Sequence, residues 1–152
     1  MLRVARELER IAPDLSILVL GCGEPEFDAL AAECRNVRCL GFVDVATLAS
    51  FLKGALAMLF LSRYEGFGVP VAEAMAAGAP VVSSNCAALP EIVGDAGLVV
   101  DAENSRGVAA AIKSLSLDSA VRADFSRRGR KRAETYRWES CIQRLLRALG
   151  EG

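Results

Sequence analysis

Tyr64-Glu65-Gly66-Phe67-Gly68-Val69-Pro70-Val71-Ala72-Glu73-Ala74-Met75-Ala76-Ala77-Gly78-Ala79-Pro80-Val81-Val82 runs from a glycine turn into a helix, then through Gly78 and Pro80 into an apolar strand. Gly66 and Gly68 free the backbone for close approach to a ligand, and Pro70 pre-sets φ near the first helical position. The unpaired N–H groups and positive dipole end of such a helix favour an anion, for example a diphosphate, without any basic side chain. Glu65 and Glu73, with seven residues between them, flank the turn. An ionised carboxylate accepts two hydrogen bonds at once, so each can grip neighbouring hydroxyls, one set on a hexose and one on a ribose. The pattern suits a sugar nucleotide. A carboxylate in a first helical turn is also favoured by the dipole alone, so Glu73 taken singly carries that plainer reading as well.

Around this segment short apolar runs alternate with helical patterns, the signature of βαβ units and a parallel sheet covered on both faces. Strands are predicted over 15–20, 37–40, 56–61, 80–83 and 97–100, with helices over 3–11, 26–35, 45–53, 71–77 and 89–93. Beyond Val100 the pattern is helical only. Val108, Ile112 and Leu115 mark one face, and Ile142, Leu145, Leu146 and Leu149 another, each expected to pack back on the rest. Arg127, Arg128, Arg130, Lys131 and Arg132 form a basic cluster. With Asp124 and Glu134 interleaved, it reads first as a solvated helix face and second as a weak peripheral contact for a membrane surface.

The expected fold class is α/β: a Rossmann-like open parallel sheet with helices on both faces, its first central strand missing, and a helical C-terminal tail. The irregularity is that a helix opens the chain with no strand before it. In the doubly wound order 3-2-1-4-5-6 the first strand is central. Either strand 15–20 pairs directly with 56–61 to give a continuous five-stranded sheet, or another chain or an upstream segment supplies the strand. Two half-sheets left unpaired are the least tenable arrangement, because backbone groups then lack partners.

With 152 residues, 53% of them hydrophobic, one domain over 1–152 is expected. The formal net charge is -1, from 18 basic and 19 acidic residues, so no overall field draws nucleic acid. No apolar run reaches the roughly 20 residues that span a bilayer, and no secretory apolar region opens the sequence, so the chain reads as cytoplasmic. Five cysteines, no Cys-x-x-Cys pair and no histidine argue against zinc, a disulfide framework or a His-based triad. A dinucleotide oxidoreductase would need Gly-x-Gly-x-x-Gly, and Glu26 stands where the third glycine belongs.

Gly21-Cys22-Gly23, Leu40-Gly41-Phe42-Val43, the segment from Ser62 through Gly68, the run from Glu73 to Val82, Leu89-Pro90-Glu91 and Tyr136-Arg137-Trp138 together resemble the C-terminal, donor-binding domain of retaining GT-B glycosyltransferases, the "glycosyl transferases group 1". The resemblance implies that Glu65 hydrogen-bonds hydroxyls of the donor sugar and is the residue to which a catalytic role falls. It implies that Glu73 binds the ribose diol and that the backbone at Gly66, Phe67, Gly68 and Val69 meets sugar and diphosphate. Phe42 and Val43 would meet the base, against the plainer reading of Phe42 as a packing residue. Gly23, with Gly21, would form a phosphate-side loop or merely a tight turn. The donor would be a UDP- or GDP-linked sugar, with no metal and no other cofactor. Asp101-Ala102-Glu103 reads as a helix cap.

Two parts of the family pattern lack counterparts: the arginine and lysine that neutralise the leaving diphosphate, and the N-terminal acceptor domain. Arg63 could substitute in part by position, but that is not the favoured reading of it. The implied partners are therefore a nucleotide-sugar and a separate acceptor-binding domain or chain, with a homodimer as a further arrangement. The competing reading is a noncatalytic remnant or interaction subunit that keeps the half-fold.

Overall fold

A computed structural model describes residues 2–21 and 32–150. The predicted helix over 26–35, and Gly23 with it, lies wholly or mostly outside the described residues. Helix α1 (Leu2–Ile11) buries Val4, Ala5 and Leu8. Its charged face is laced by Arg10–Glu7 and by Arg106–Glu7, the latter reaching a later helix. The Arg10 hydrogen bond holds the Glu7 carboxyl below its ordinary value. Strands β1 (Ile17–Val19) and β2 (Val37–Cys39) pair in parallel. Helix α2 (Val45–Gly54) is capped by Asp44, which accepts from the Thr47 N–H and hydroxyl; those bonds, the backbone one first, lower the Asp44 pKa.

Strand β3 (Met58–Phe60), helix α3 (Val69–Ala77), strand β4 (Val81–Ser84), helix α4 (Leu89–Val93) and strand β5 (Leu98–Val100) complete a second parallel sheet, ordered β3-β4-β5. All four residues of β4 are buried, as an interior parallel strand requires. Met75, Val71 and Ala74 of α3 pack with Val81 and with Leu89, Ile92 and Val93 of α4. Helix α5 (Ser105–Leu117) lies beside α1 and shares a core with it: Val4, Leu8, Val108, Ala109 and Ile112, joined by half-buried Ile17, Leu56, Leu59 and Leu61. Helix α6 (Ser119–Ala133), a 3-10 turn (Glu134–Tyr136) and helix α7 (Trp138–Ala148) end the described chain.

Four expectations are corrected. Strand 15–20 does not pair with 56–61: the described strands form a two-stranded and a three-stranded sheet, the arrangement judged least tenable. The physical reason is that α1 and α5 bridge the two through side chains, so β1 and β3 share a core without sharing hydrogen bonds. The apolar face of α7 does not pack into the core; Ile142, Leu145, Leu146 and Leu149 stay exposed, and none of them joins the buried clusters that hold the other helices. The basic cluster is no uniformly solvated face. Arg132 Nε donates to the Ile92 carbonyl at 2.6 Å and its Nη2 to the Glu91 carbonyl, while Arg128 bonds the Asp95 carbonyl and pairs with Asp124 at 2.7 Å. These guanidiniums satisfy carbonyls at and beyond the end of α4, where cations are favoured. Finally, the cap of α5 is Asn104, which accepts from the Gly107 N–H, whereas Asp101 closes a local turn onto the Glu103 N–H. No helix among the described residues is long and apolar enough to cross a membrane.

Candidate functional site

The loop between β3 and α3 is set by two serines. Ser62 Oγ donates to the Tyr64 carbonyl at 3.0 Å, and Ser84 Oγ, fully buried at the end of β4, donates to the Ser62 carbonyl at 2.5 Å. Ser84 was not among the sequence candidates, and Ser62 entered only as the first residue of a motif in the family resemblance. The available signal was a polar pair, Ser83-Ser84, closing an otherwise apolar strand. Ser84→Ala removes the donor while leaving the Ser62 carbonyl in place, and an expected loss of about 1–2 kcal/mol follows. Urea denaturation measures it, with faster amide exchange in the loop; unchanged stability and exchange would contradict the anchoring role.

Gly68 ends the loop as the N-cap of α3 at φ 94°, a conformation favouring glycine, and no side chain caps the helix. Its carbonyl accepts from the Val71 and Ala72 N–H groups. Among the described residues the amides of Gly66, Phe67, Gly68 and Val69 have no hydrogen-bond partner. Consecutive free amides at a left-handed turn and a helix N-terminus form an anion-binding concavity. The helix begins at Val69 with Pro70 second, two residues earlier than expected. Glu73 is thus in the second turn, where first-turn dipole stabilisation no longer accounts for it.

Glu65 is half-buried and Glu73 exposed, and neither makes a hydrogen bond or ion pair among the described residues. Phe67 packs edge-to-face on Tyr136 with ring centroids 5.4 Å apart, and Tyr136 in turn donates to the Ile92 carbonyl at 3.1 Å. The turn therefore rests on α4 and the 3-10 segment. Tyr136 entered the sequence reading only as part of the family resemblance; the structure gives it a contact.

Across the same carboxyl edge of the strands, Gly41 (φ 66°) accepts from the Gly21 N–H at 2.8 Å, tying the loops after β2 and β1. Phe42, beside it, is 84% exposed, so it is not the packing residue of the plainer reading; Val43 is half-buried. Arg63 is not free: it pairs with Glu103 at 2.8 Å, an exposed pair of small energetic weight. That pair rims a cleft of about 400 Å³ between the start of α1 and the carboxyl ends of β3 and β5. The edge is where ligands of open parallel sheets bind.

The parallel α/β framework, with helices against its sheets and a helical C-terminal tail, is that of the GT-B glycosyltransferases, which the solved structures match in fold. TarM superposes with a TM-score of 0.82 at 22% identity, covering 96% of this chain and 31% of TarM. A sucrose-phosphate synthase from Thermosynechococcus elongatus superposes with a TM-score of 0.80 at 25% identity, covering 97% and 42%. Residues 1–132 match the glycosyl transferases group 1, and the chain belongs to that family. O-antigen chain mannosyltransferase B of Escherichia coli is 39% identical over 112 residues, which are 74% of this chain and 29% of the relative. Phosphatidyl-myo-inositol mannosyltransferase of Mycolicibacterium smegmatis is 34% identical over 142 residues, 89% and 36% of the two chains. The chain spans about a third of the length of these relatives.

Proposed function

We propose that this chain is the donor-binding half of a retaining glycosyltransferase, holding a UDP- or GDP-linked hexose for transfer to an acceptor bound by a separate domain or chain. The observation that carries this reading is the row of unpartnered amides from Gly66 to Val69, set between two unpaired carboxylates at a helix N-terminus. The amides face the diphosphate and sugar, Glu65 takes hexose hydroxyls, and Glu73 takes the ribose diol. Phe42 and Val43, on the neighbouring loop, border the base, with the segment at Gly23 on the phosphate side. Acting alone, such a half binds donor without transferring sugar, because the acceptor side and most of the charge neutralisation at the leaving group lie elsewhere.

Calorimetric titration with a panel of UDP- and GDP-sugars tests it. Binding is expected for at least one donor, and Glu73→Gln weakens it about tenfold or more, since a hydrogen bond to a charged acceptor contributes about 1.5–3 kcal/mol. Glu9→Gln, on α1 and outside the residues assigned to the donor, leaves it unchanged. A chain that binds none of the panel is instead a noncatalytic remnant or interaction subunit of the family. Equal binding by the Glu73→Gln variant would remove the diol assignment.

A further inference from the structure

We infer that Tyr136 is a positioning residue for the donor: its ring sets the angle of the glycine turn whose amides meet the diphosphate, an inference that rests on the donor-site reading. In Gly66-Phe67-Gly68 the outer residues carry no side chain, so Phe67 is the handle by which packing can orient the turn. Its ring meets Tyr136 edge-to-face, with an interplanar angle of 90° and centroids 5.4 Å apart, an arrangement that fixes orientation as well as distance. On the other side, Gly68 stands so close to fully buried Leu89 that a Cβ would lie 2.7 Å from Leu89 Cδ2. The turn is held between α4 and the Tyr136 ring.

That ring is itself held fast. The Tyr136 hydroxyl donates to the Ile92 carbonyl at 3.1 Å, the side chain packs against the core that contains Met75 and Ile92, and the Arg132 guanidinium lies 5.9 Å from its centroid. The segment carrying it is pinned from α7: Ser140 Oγ donates to the Glu134 carbonyl at 2.9 Å, and Arg144 Nη2 donates to the Thr135 carbonyl. The hydroxyl is not needed to satisfy α4, because the Ile92 and Glu91 carbonyls already accept from Arg132. Among the described residues, the contribution that nothing duplicates is the ring contact with Phe67. Phe67 remains 41% exposed, so without Tyr136 its ring can leave for solvent and take the turn with it. Ordering the turn anew would then fall on donor binding and weaken it.

Calorimetric titration with the UDP- and GDP-sugar panel compares the wild type with Tyr136→Leu, Tyr136→Phe and Val108→Ala, at a temperature where all four are folded. Tyr136→Leu removes the ring contact and is expected to weaken donor binding about tenfold. Tyr136→Phe keeps the ring packing and binds within about threefold of the wild type. Val108→Ala, in the core shared by α1 and α5, lowers the urea midpoint yet binds donor as the wild type does, which separates positioning from a general loss of stability. In proton NMR the Phe67 ring resonances move toward those of a solvated phenylalanine in Tyr136→Leu and stay in place in Tyr136→Phe. Equal donor affinity in Tyr136→Leu and the wild type overturns the positioning role and leaves the donor site standing, and equal losses in both Tyr136 variants overturn the ring contact as its cause. A wild type that binds none of the panel overturns the donor-site reading and this inference with it. If Tyr136→Leu does not fold, the wild type decides: donor addition is expected to shift the Tyr136 ring resonances, told apart from those of Tyr64, the other tyrosine, by assignment, and their staying unmoved overturns the role.

Discussion

Met75→Ala is expected to cost about 2–5 kcal/mol of folding stability, the range for truncating a large buried side chain when the surroundings collapse only partly. Met75 is fully buried on α3, in the cluster that joins this helix to β4 and α4. On its other side lies Gly129 of α6, where an added Cβ would stand 3.5 Å from the Met75 Cβ and Cγ. Glycine there lets the two helices approach closely, so the cavity left by alanine has a backbone wall on one side that cannot fill it. Urea denaturation should show a lower midpoint with the slope preserved. Because α3 also carries Glu73, donor binding by this variant should fall with the folded fraction rather than through a lost contact. A midpoint shift equivalent to less than about 1 kcal/mol would mean that the core relaxes into the space.

The second large effect is at Gly68. Alanine there is strained by φ 94°, and its Cβ would stand 2.7 Å from Leu89 Cδ2, against a leucine that is itself fully buried. A loss of about 1–3 kcal/mol is expected from the backbone conformation. The displaced turn also reorients the free amides from Gly66 to Val69, so nucleotide-sugar binding should fall further than stability does. Gly66→Ala is the control. Its Cβ meets nothing within 4 Å and its φ is unstrained, so stability should change by less than about 0.5 kcal/mol. Thermal unfolding and donor titration of the two variants separate the effects; equal behaviour would show that the left-handed turn is dispensable.

Local chemistry made the turn at Gly66 to Gly68 and helix α3 legible in advance, because glycine and proline punctuate the backbone directly. The start of α3 was misplaced by two residues since a left-handed cap carries no side-chain signature. Both glutamates were visible in the sequence, but their freedom from other partners was not. What could not be read were the contacts made over distance: the Ser84 anchor, the Phe67–Tyr136 packing and the Arg132 bonds to α4. Each depends on which elements the fold brings together. Sheet division was misjudged for a related reason. Unsatisfied backbone groups argued for closure, whereas α1 and α5 hold the two sheets as a pair by packing alone.

The guanidinium of Arg132 reaches back 40 residues to Ile92, and Tyr136 reaches further still to support Phe67. During synthesis the glycine turn therefore emerges long before the pieces that brace it. Closing so long a loop carries an entropic cost that local helix formation does not. The turn is thus expected to be among the last features to become rigid as the chain folds, and a chain ending before α6 would carry the sequence motif without its shape.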